Sequence, residues 1–174
     1  MVRFAVLKFP NNARWVCANW VKITQTQNVY HSGSGLVPYI TETAIGKRKE
    51  LKVFGSDYDT RDGSCIRDYI HVIYIAKAHI LAVQHLIDGK TKGYDVINLG
   101  SGNGSTVLEM IHAFERATGL TIPYSLAPRR AGDVPAVYAN IGKAQRVLNW
   151  TPEKSLEDML RDAWNFEQSL TQEN

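Results

Sequence analysis

The sequence predicts an α/β fold, and three observations carry that prediction. Short apolar runs of strand character alternate with stretches of helical periodicity. Glycines and capping residues stand at the joints between them. The 174 residues suffice to bury a core as one domain, with 44% hydrophobic and 21% charged residues, as in an ordinary globule.

Taken in order, Phe4 to Leu7 reads as a short buried strand. Leu36 to Ile45 reads as a helix that stops at Gly46, the residue type expected just past a C-terminus. Leu51-Lys52-Val53-Phe54 is a brief strand, and the Asp, Thr, Ser and Gly of residues 55–63 make turns. From His71 to Ile87 the apolar positions Ile75, Ala78, Ala82, Val83 and Leu86 recur at three and four, which predicts an amphipathic helix ending before Gly89.

Asp95 to Leu99 is a strand and Gly100 to Gly104 a loop. Thr106-x-x-Glu109 is a capping box opening a helix that runs to Ala117 and ends at Gly119. Asn140 is placed to cap a short helix through Leu148. Ser155 with Asp158 is placed to cap another, whose apolar face is Leu156, Met159, Leu160, Ala163 and Trp164.

One stretch departs from its neighbours on both sides. Pro10 to Gly35 holds Trp15 and Trp20 among isolated polar residues and has neither helical nor strand periodicity. The chain is therefore divided into 1–35, a residual strand plus an atypical segment, and 36–174.

Composition excludes several function classes. A formal net charge of +3, with lysines and arginines dispersed, does not predict a nucleic-acid partner. The run Lys47-Arg48-Lys49 reads as a solvated helix end. Cys17 and Cys65 have no CxxC or metal spacing, which predicts reduced thiols in a reducing compartment. The start, Met1 to Leu7, is too short for a signal sequence, and no run approaches the roughly 20 apolar residues of a membrane helix. A cytoplasmic protein without a membrane partner is expected.

Gly100-x-Gly102-x-Gly104 lies between a strand and a helix, but its third glycine is misplaced for a dinucleotide fingerprint and no acid follows at ribose distance. A tight turn explains these glycines, although an anion near the helix terminus would still be favoured. His71, His79 and His112 fall in predicted helices without ligands at metal spacing, so packing or surface roles are expected, and no metal. Tyr-x-x-x-Lys occurs nowhere, Tyr74 to Lys77 being one residue too short, so no catalytic pair is assigned.

Two arginine motifs stand out. Arg67-Asp68-Tyr69 has two readings: Arg67 reaches a phosphate while Asp68 accepts from a hydroxyl or holds the arginine, or the group is a surface ion pair beside a half-buried tyrosine. Arg129-Arg130 sits between Pro128 and Gly132-Asp133, in a turn suited to bidentate phosphate recognition, with Asp133 placed to accept from hydroxyls.

Six blocks occur in order: Leu36-Val37-Pro38-Tyr39-Ile40, Leu51 to Gly55, Arg67 to Val72, Asn98-Leu99-Gly100, Ala127 to Asp133 and Leu148-Asn149-Trp150. Their succession resembles the C-terminal part of the UDP-glucose 4-epimerases, extended short-chain dehydrogenases/reductases. In that family an N-terminal Rossmann domain holds NAD, and a smaller C-terminal region binds the UDP-sugar. NAD takes a hydride from C4 of the hexose and returns it to the other face, with the tyrosine of Tyr-x-x-x-Lys as base.

The resemblance implies that Lys52, Val53 and Phe54 line the uracil and that Arg67 faces the diphosphate, with Asp68 and Tyr69 beside it. It further implies that Arg130 is a second phosphate clamp and that Asp133 accepts from the ribose. Residues 36–174 would then be the UDP-sugar-binding part of a homodimeric family. The NAD loop and the catalytic tyrosine and lysine belong to a half this chain lacks, so no cofactor and no epimerisation are expected of it alone. Where the family has an Asn-Asn pair before the Leu-x-Pro-Tyr helix, Ser34-Gly35 stands, and an amide expected at the diphosphate is missing. A frame slip between two family-like segments would account for Pro10 to Gly35. Two alternatives stand beside this: a non-catalytic UDP-binding module, and part of another nucleotide-sugar epimerase, dehydratase or decarboxylase.

Overall fold

A computed structural model describes residues 2–8, 15–19, 35–90 and 94–172 of the chain. In chain order the first elements are β1 (Val2–Lys8), β2 (Trp15–Asn19), α1 (Leu36–Ala44), β3 (Leu51–Phe54), β4 (Ile66–Arg67), α2 (Val72–Ile87) and β5 (Tyr94–Leu99). They are followed by β6 (Ser105–Thr106), α3 (Val107–Thr118), β7 (Tyr124–Ala127), β8 (Ala136–Val137), α4 (Gly142–Leu148) and α5 (Leu156–Gln172). The mixed α/β class expected from the sequence is the one observed.

The chain forms two compact units, each assembled from separated stretches: 1–25, 68–104 and 137–153 in the first, 26–67, 105–136 and 154–174 in the second. The division drawn at residue 35 from composition does not follow these units, because strand pairing and helix packing join stretches far apart in sequence.

In the first unit β1 lies between β2 and β5, antiparallel to both. The strand at Trp15–Asn19 corrects the reading of Pro10 to Gly35 as lacking strand structure, since β1 supplies the partner that a periodicity test cannot see. Residues 9–14 and 20–34, where the rest of that expectation falls, lie outside the described residues. Tyr74, Ala78, Ala82 and Leu86 of α2 pack with Ile97 and Leu99 of β5 and with Ala144, Leu148 and Trp150. Trp150 Nε1 donates to the Tyr74 carbonyl at 2.9 Å, so the largest ring of this core is also satisfied as a donor. His71 proves to be the N-cap of α2, its Nδ1 accepting from the Ile73 amide at 3.1 Å. At α4, Asn140 Oδ1 accepts from the Gly142 amide at 2.9 Å, while Ile141 occupies the cap position itself.

In the second unit β3 and β7 form a parallel pair, from Leu51 opposite Tyr124 to Phe54 opposite Ala127. β7 escapes sequence reading because its apolar residues Tyr124 and Leu126 point outward and are exposed, the reverse of a half-buried strand. Ile40 of α1, Val53 of β3, Met110, Ile111 and Phe114 of α3, Leu160 of α5, and Ile122 between α3 and β7 are buried in this unit. The Phe114 and Trp164 rings meet edge to face at 5.8 Å. Pro38 is tolerated in the first turn of α1, where its missing N–H has no intrahelical partner to lose.

The caps of α3 and α5 are the ones expected. Thr106 Oγ1 accepts from the Glu109 amide and Glu109 Oε2 from the Thr106 amide, both at 2.9 Å. Ser155 Oγ accepts from the Asp158 amide at 3.1 Å. The basic run after α1 is more than a solvated end: Arg48 pairs with Glu42 and lies 4.2 Å over the Tyr39 ring, and Lys47 pairs with Glu167 at 2.7 Å. Among the described residues, no helix is long and apolar enough to cross a membrane.

Candidate functional site

The second unit carries six of the eight sequence-predicted site residues, and the pleat of β3 sorts the first three. Lys52 and Phe54 project from the outer face, while Val53, one residue out of phase, is fully buried in the core. This corrects the expectation for Val53, whose side chain cannot line a ligand. Lys52 Nζ donates to Ser125 Oγ at 2.8 Å and pairs with Glu50 at 2.5 Å, holding it on the exposed side of the strand pair.

Two turns then meet beside Phe54. Arg130 Cζ stands 3.8 Å from the centroid of the Phe54 ring. Gly132, with φ of 81°, bends the chain after it, and the Asp133 amide donates to the Arg130 carbonyl at 3.2 Å. The turn thus returns Asp133 to Arg67, whose Nη2 donates to Asp133 Oδ1 at 3.2 Å. Arg67 Nη1 also donates to the carbonyls of Ile66 at 2.8 Å and Val134 at 3.0 Å. Arg67 and Asp133 are each 28% exposed, so the pair is accessible yet fixed in orientation. The Arg130–Phe54 pair and the Arg67–Asp133 pair are thus linked through the 130–133 turn, a chemistry suited to an anionic group next to a planar one.

Arg129 does not join Arg130. Its Nε donates to Asp57 Oδ1 at 2.8 Å, its Nη2 to the Asp57 carbonyl at 2.6 Å, and its guanidinium stacks 4.2 Å over Tyr58. The bond from Arg129 holds the Asp57 carboxyl below its usual range, and Asp57 in turn raises Arg129. A cleft of about 400 Å³ opens beside this pair, lined by Gly55, Ser56, Asp57, Leu126, Ala127, Pro128 and Arg129. Asp57 and Tyr58 lie in a stretch legible only as turns, so no local pattern announces their part.

Asp68 and Tyr69 belong to the first unit. Asp68 Oδ1 accepts from the Ser101 amide and hydroxyl, both at 2.7 Å, and Oδ2 from the Ala139 amide at 2.8 Å. Of the two uses foreseen for Asp68, holding Arg67 is not seen, and the hydroxyl it accepts from is that of Ser101, with backbone amides of two loops as its other donors. A Cβ on Gly100 would fall 1.9 Å from Asp68 Oδ2, so glycine there serves this close approach. Tyr69 is half-buried.

The glycine loop is likewise committed internally. Ser101 Oγ accepts from the amides of Asn103 at 3.3 Å and Gly104 at 2.9 Å. In the second unit the first amides of α3 are taken as well: Val107 by the Cys65 carbonyl, Leu108 by Ser64 Oγ and Glu109 by Thr106 Oγ1. An anion has no free amide to meet at these positions.

A family model described as GDP-mannose 4,6 dehydratase matches residues 23–163. The chain is 50% identical over 133 residues to UDP-glucose 4-epimerase 2 of Arabidopsis thaliana, covering 76% of this chain and 38% of that protein. A UDP-glucose 4-epimerase structure from Stenotrophomonas maltophila, with bound NAD and formylated UDP-arabinopyranose, aligns with a TM-score of 0.77 at 42% identity, over 83% of this chain and 43% of that one. A Bifidobacterium longum UDP-glucose 4-epimerase in complex with NAD+ and UDP aligns with a TM-score of 0.71 at 42% identity, over 79% of this chain and 40% of that one. The chain spans about two fifths of the length of the curated relatives it matches.

Proposed function

The chain belongs to the family whose model is described as GDP-mannose 4,6 dehydratase, and from that premise we propose that its second unit holds the nucleoside diphosphate of a UDP-sugar, as part of a UDP-glucose 4-epimerase. One observation carries this reading: Arg67 and Arg130 are joined through the Asp133 turn beside the Phe54 ring. A diphosphate needs two cationic partners held at once, and a nucleobase needs an aromatic or guanidinium plane. Lys52 adds a third cation on the same strand face as Phe54.

The Asn103 and Gly104 amides of the glycine loop already serve Ser101 Oγ, so no step through NAD is derived at this loop. The residues described here bind and orient a nucleotide sugar; hydride transfer and the catalytic base are not assigned to them.

Calorimetric titration of the chain tests the reading. UDP should bind more tightly than UMP, and UMP more tightly than uridine, because each phosphate removed leaves an arginine without its charge-assisted partner. Equal heats for the three, or none, would overturn it. The family description names a GDP-sugar enzyme, so a second reading assigns a guanine nucleotide to the same diphosphate clamp. GDP binding more tightly than UDP would select it.

A further inference from the structure

We infer that Arg129 is a positioning residue: it clamps the 55–63 turn to the 128–132 turn and so fixes Arg130 over Phe54. The inference rests on the proposed function for its ligand but not for its geometry. Phe54 ends β3 and Arg130 follows β7, and the ladder between these strands closes with the Gly55 amide donating to the Ala127 carbonyl at 2.8 Å. Beyond that bond the two turns have no strand pairing to keep them in register.

Arg129 supplies what the ladder no longer does. Its fork spans side chain and main chain of one residue, Asp57 Oδ1 and Asp57 O, so it reports on the backbone position of the opposite turn. Its plane lies on Tyr58, whose side chain is buried and wedged against Gly55. A Cβ at Gly55 would come within 2.2 Å of the Tyr58 ring, so the floor beneath Arg129 is itself tightly seated. The Asp57 carboxylate is well exposed, so the ion pair contributes little to stability by attraction alone. What Arg129 contributes is direction: with its side chain committed to one turn, the next residue along the chain is presented on Phe54.

The test reads Arg130 directly. In nuclear magnetic resonance of the full chain, ring current from Phe54 should shift the Arg130 side-chain protons upfield. Arg129→Ala should return them toward ordinary arginine positions while the dispersion of core methyls in both units persists. Asp57→Asn, which keeps the backbone acceptor, should give a smaller return and serves should Arg129→Ala lose its dispersion. Unchanged Arg130 shifts in a folded variant would overturn the inference whether or not UDP binds.

Titration with UDP supplies the second readout. Arg129→Ala should weaken binding about tenfold in the native background and leave it unchanged in an Arg130→Ala background. An equal loss in both backgrounds would mean that Arg129 touches the nucleotide itself, and would also overturn the inference. Absence of UDP binding by the unaltered chain would instead defeat the proposed function and leave the resonance shifts to decide the role of Arg129.

Discussion

The guanidinium of Arg130 lies 3.8 Å over the ring of Phe54, joining the end of β3 to the turn after β7. Arg130→Ala should weaken UDP binding by about tenfold or more, the loss of a charge-assisted phosphate contact. Lys47→Ala, at an exposed pair with Glu167, should leave it unchanged. Calorimetry on the two variants checks this, and equal losses would remove Arg130 from the site.

Arg67→Lys should lower UDP affinity about tenfold, because an ammonium cannot reproduce the fork that meets Asp133, Ile66 and Val134 together. Its melting temperature should change little, since the pair is partly exposed and screened. A large melting shift with unchanged affinity would make the Arg67 bonds structural.

Asp68→Ala should behave in the opposite way. It leaves the Ser101 and Ala139 amides without their acceptor, at a cost of roughly 1–3 kcal/mol for such buried donors. Urea unfolding followed through tryptophan emission should show the loss, while the UDP affinity of the folded protein stays at the native value. Weakened binding without destabilisation would restore Asp68 to the ligand.

Thr106→Ala removes one half of the capping box of α3 and should cost about 1–2 kcal/mol in the same unfolding experiment. Thr106 also donates to Asp62, so Thr106→Ser, which keeps the hydroxyl, should recover most of the loss.

Glu109 fixes a pH dependence. Its carboxyl is held below the ordinary glutamate value of 4.5, chiefly by the Arg61 side chain, which donates to both of its oxygens at 2.7 Å, against the opposing effect of partial burial. A depressed native pKa stabilises fully above the unfolded value, and that contribution disappears as pH falls through the native one. Stability should therefore decline on acidification below about 4.5, and Glu109→Gln should flatten the decline. An unaltered acid profile in that variant would assign the decline to other carboxylates.

The elements legible in advance were those stabilised locally. The Thr106 and Glu109 box, the Ser155 cap, Gly119 at the end of α3 and the Ala78, Ala82 and Leu86 spacing of α2 all act within one or two turns of the chain, whereas Val83, read on the same face, is exposed. The six blocks running from Leu36 to Trp150 likewise carried the resemblance, which the 50% identity over 133 residues to a UDP-glucose 4-epimerase bears out. Less visible were β2, which needs β1 beside it, and β7, whose apolar side chains face away from the core.

By itself, then, the sequence settled the α/β class, most helices with their caps, the family, and which short segments carry charged and aromatic groups. Only tertiary structure decided what those groups do. The bonds that sort them, Arg67 to Asp133, Asp68 to Ala139 and Arg129 to Asp57, cross 66, 71 and 72 residues of chain. No local propensity encodes such contacts. Folding places one arginine of a neighbouring pair on Tyr58 and the other on Phe54, and turns one aspartate toward backbone amides and the other toward a guanidinium, because each side chain takes the partner that the packed strands and turns bring within hydrogen-bond reach.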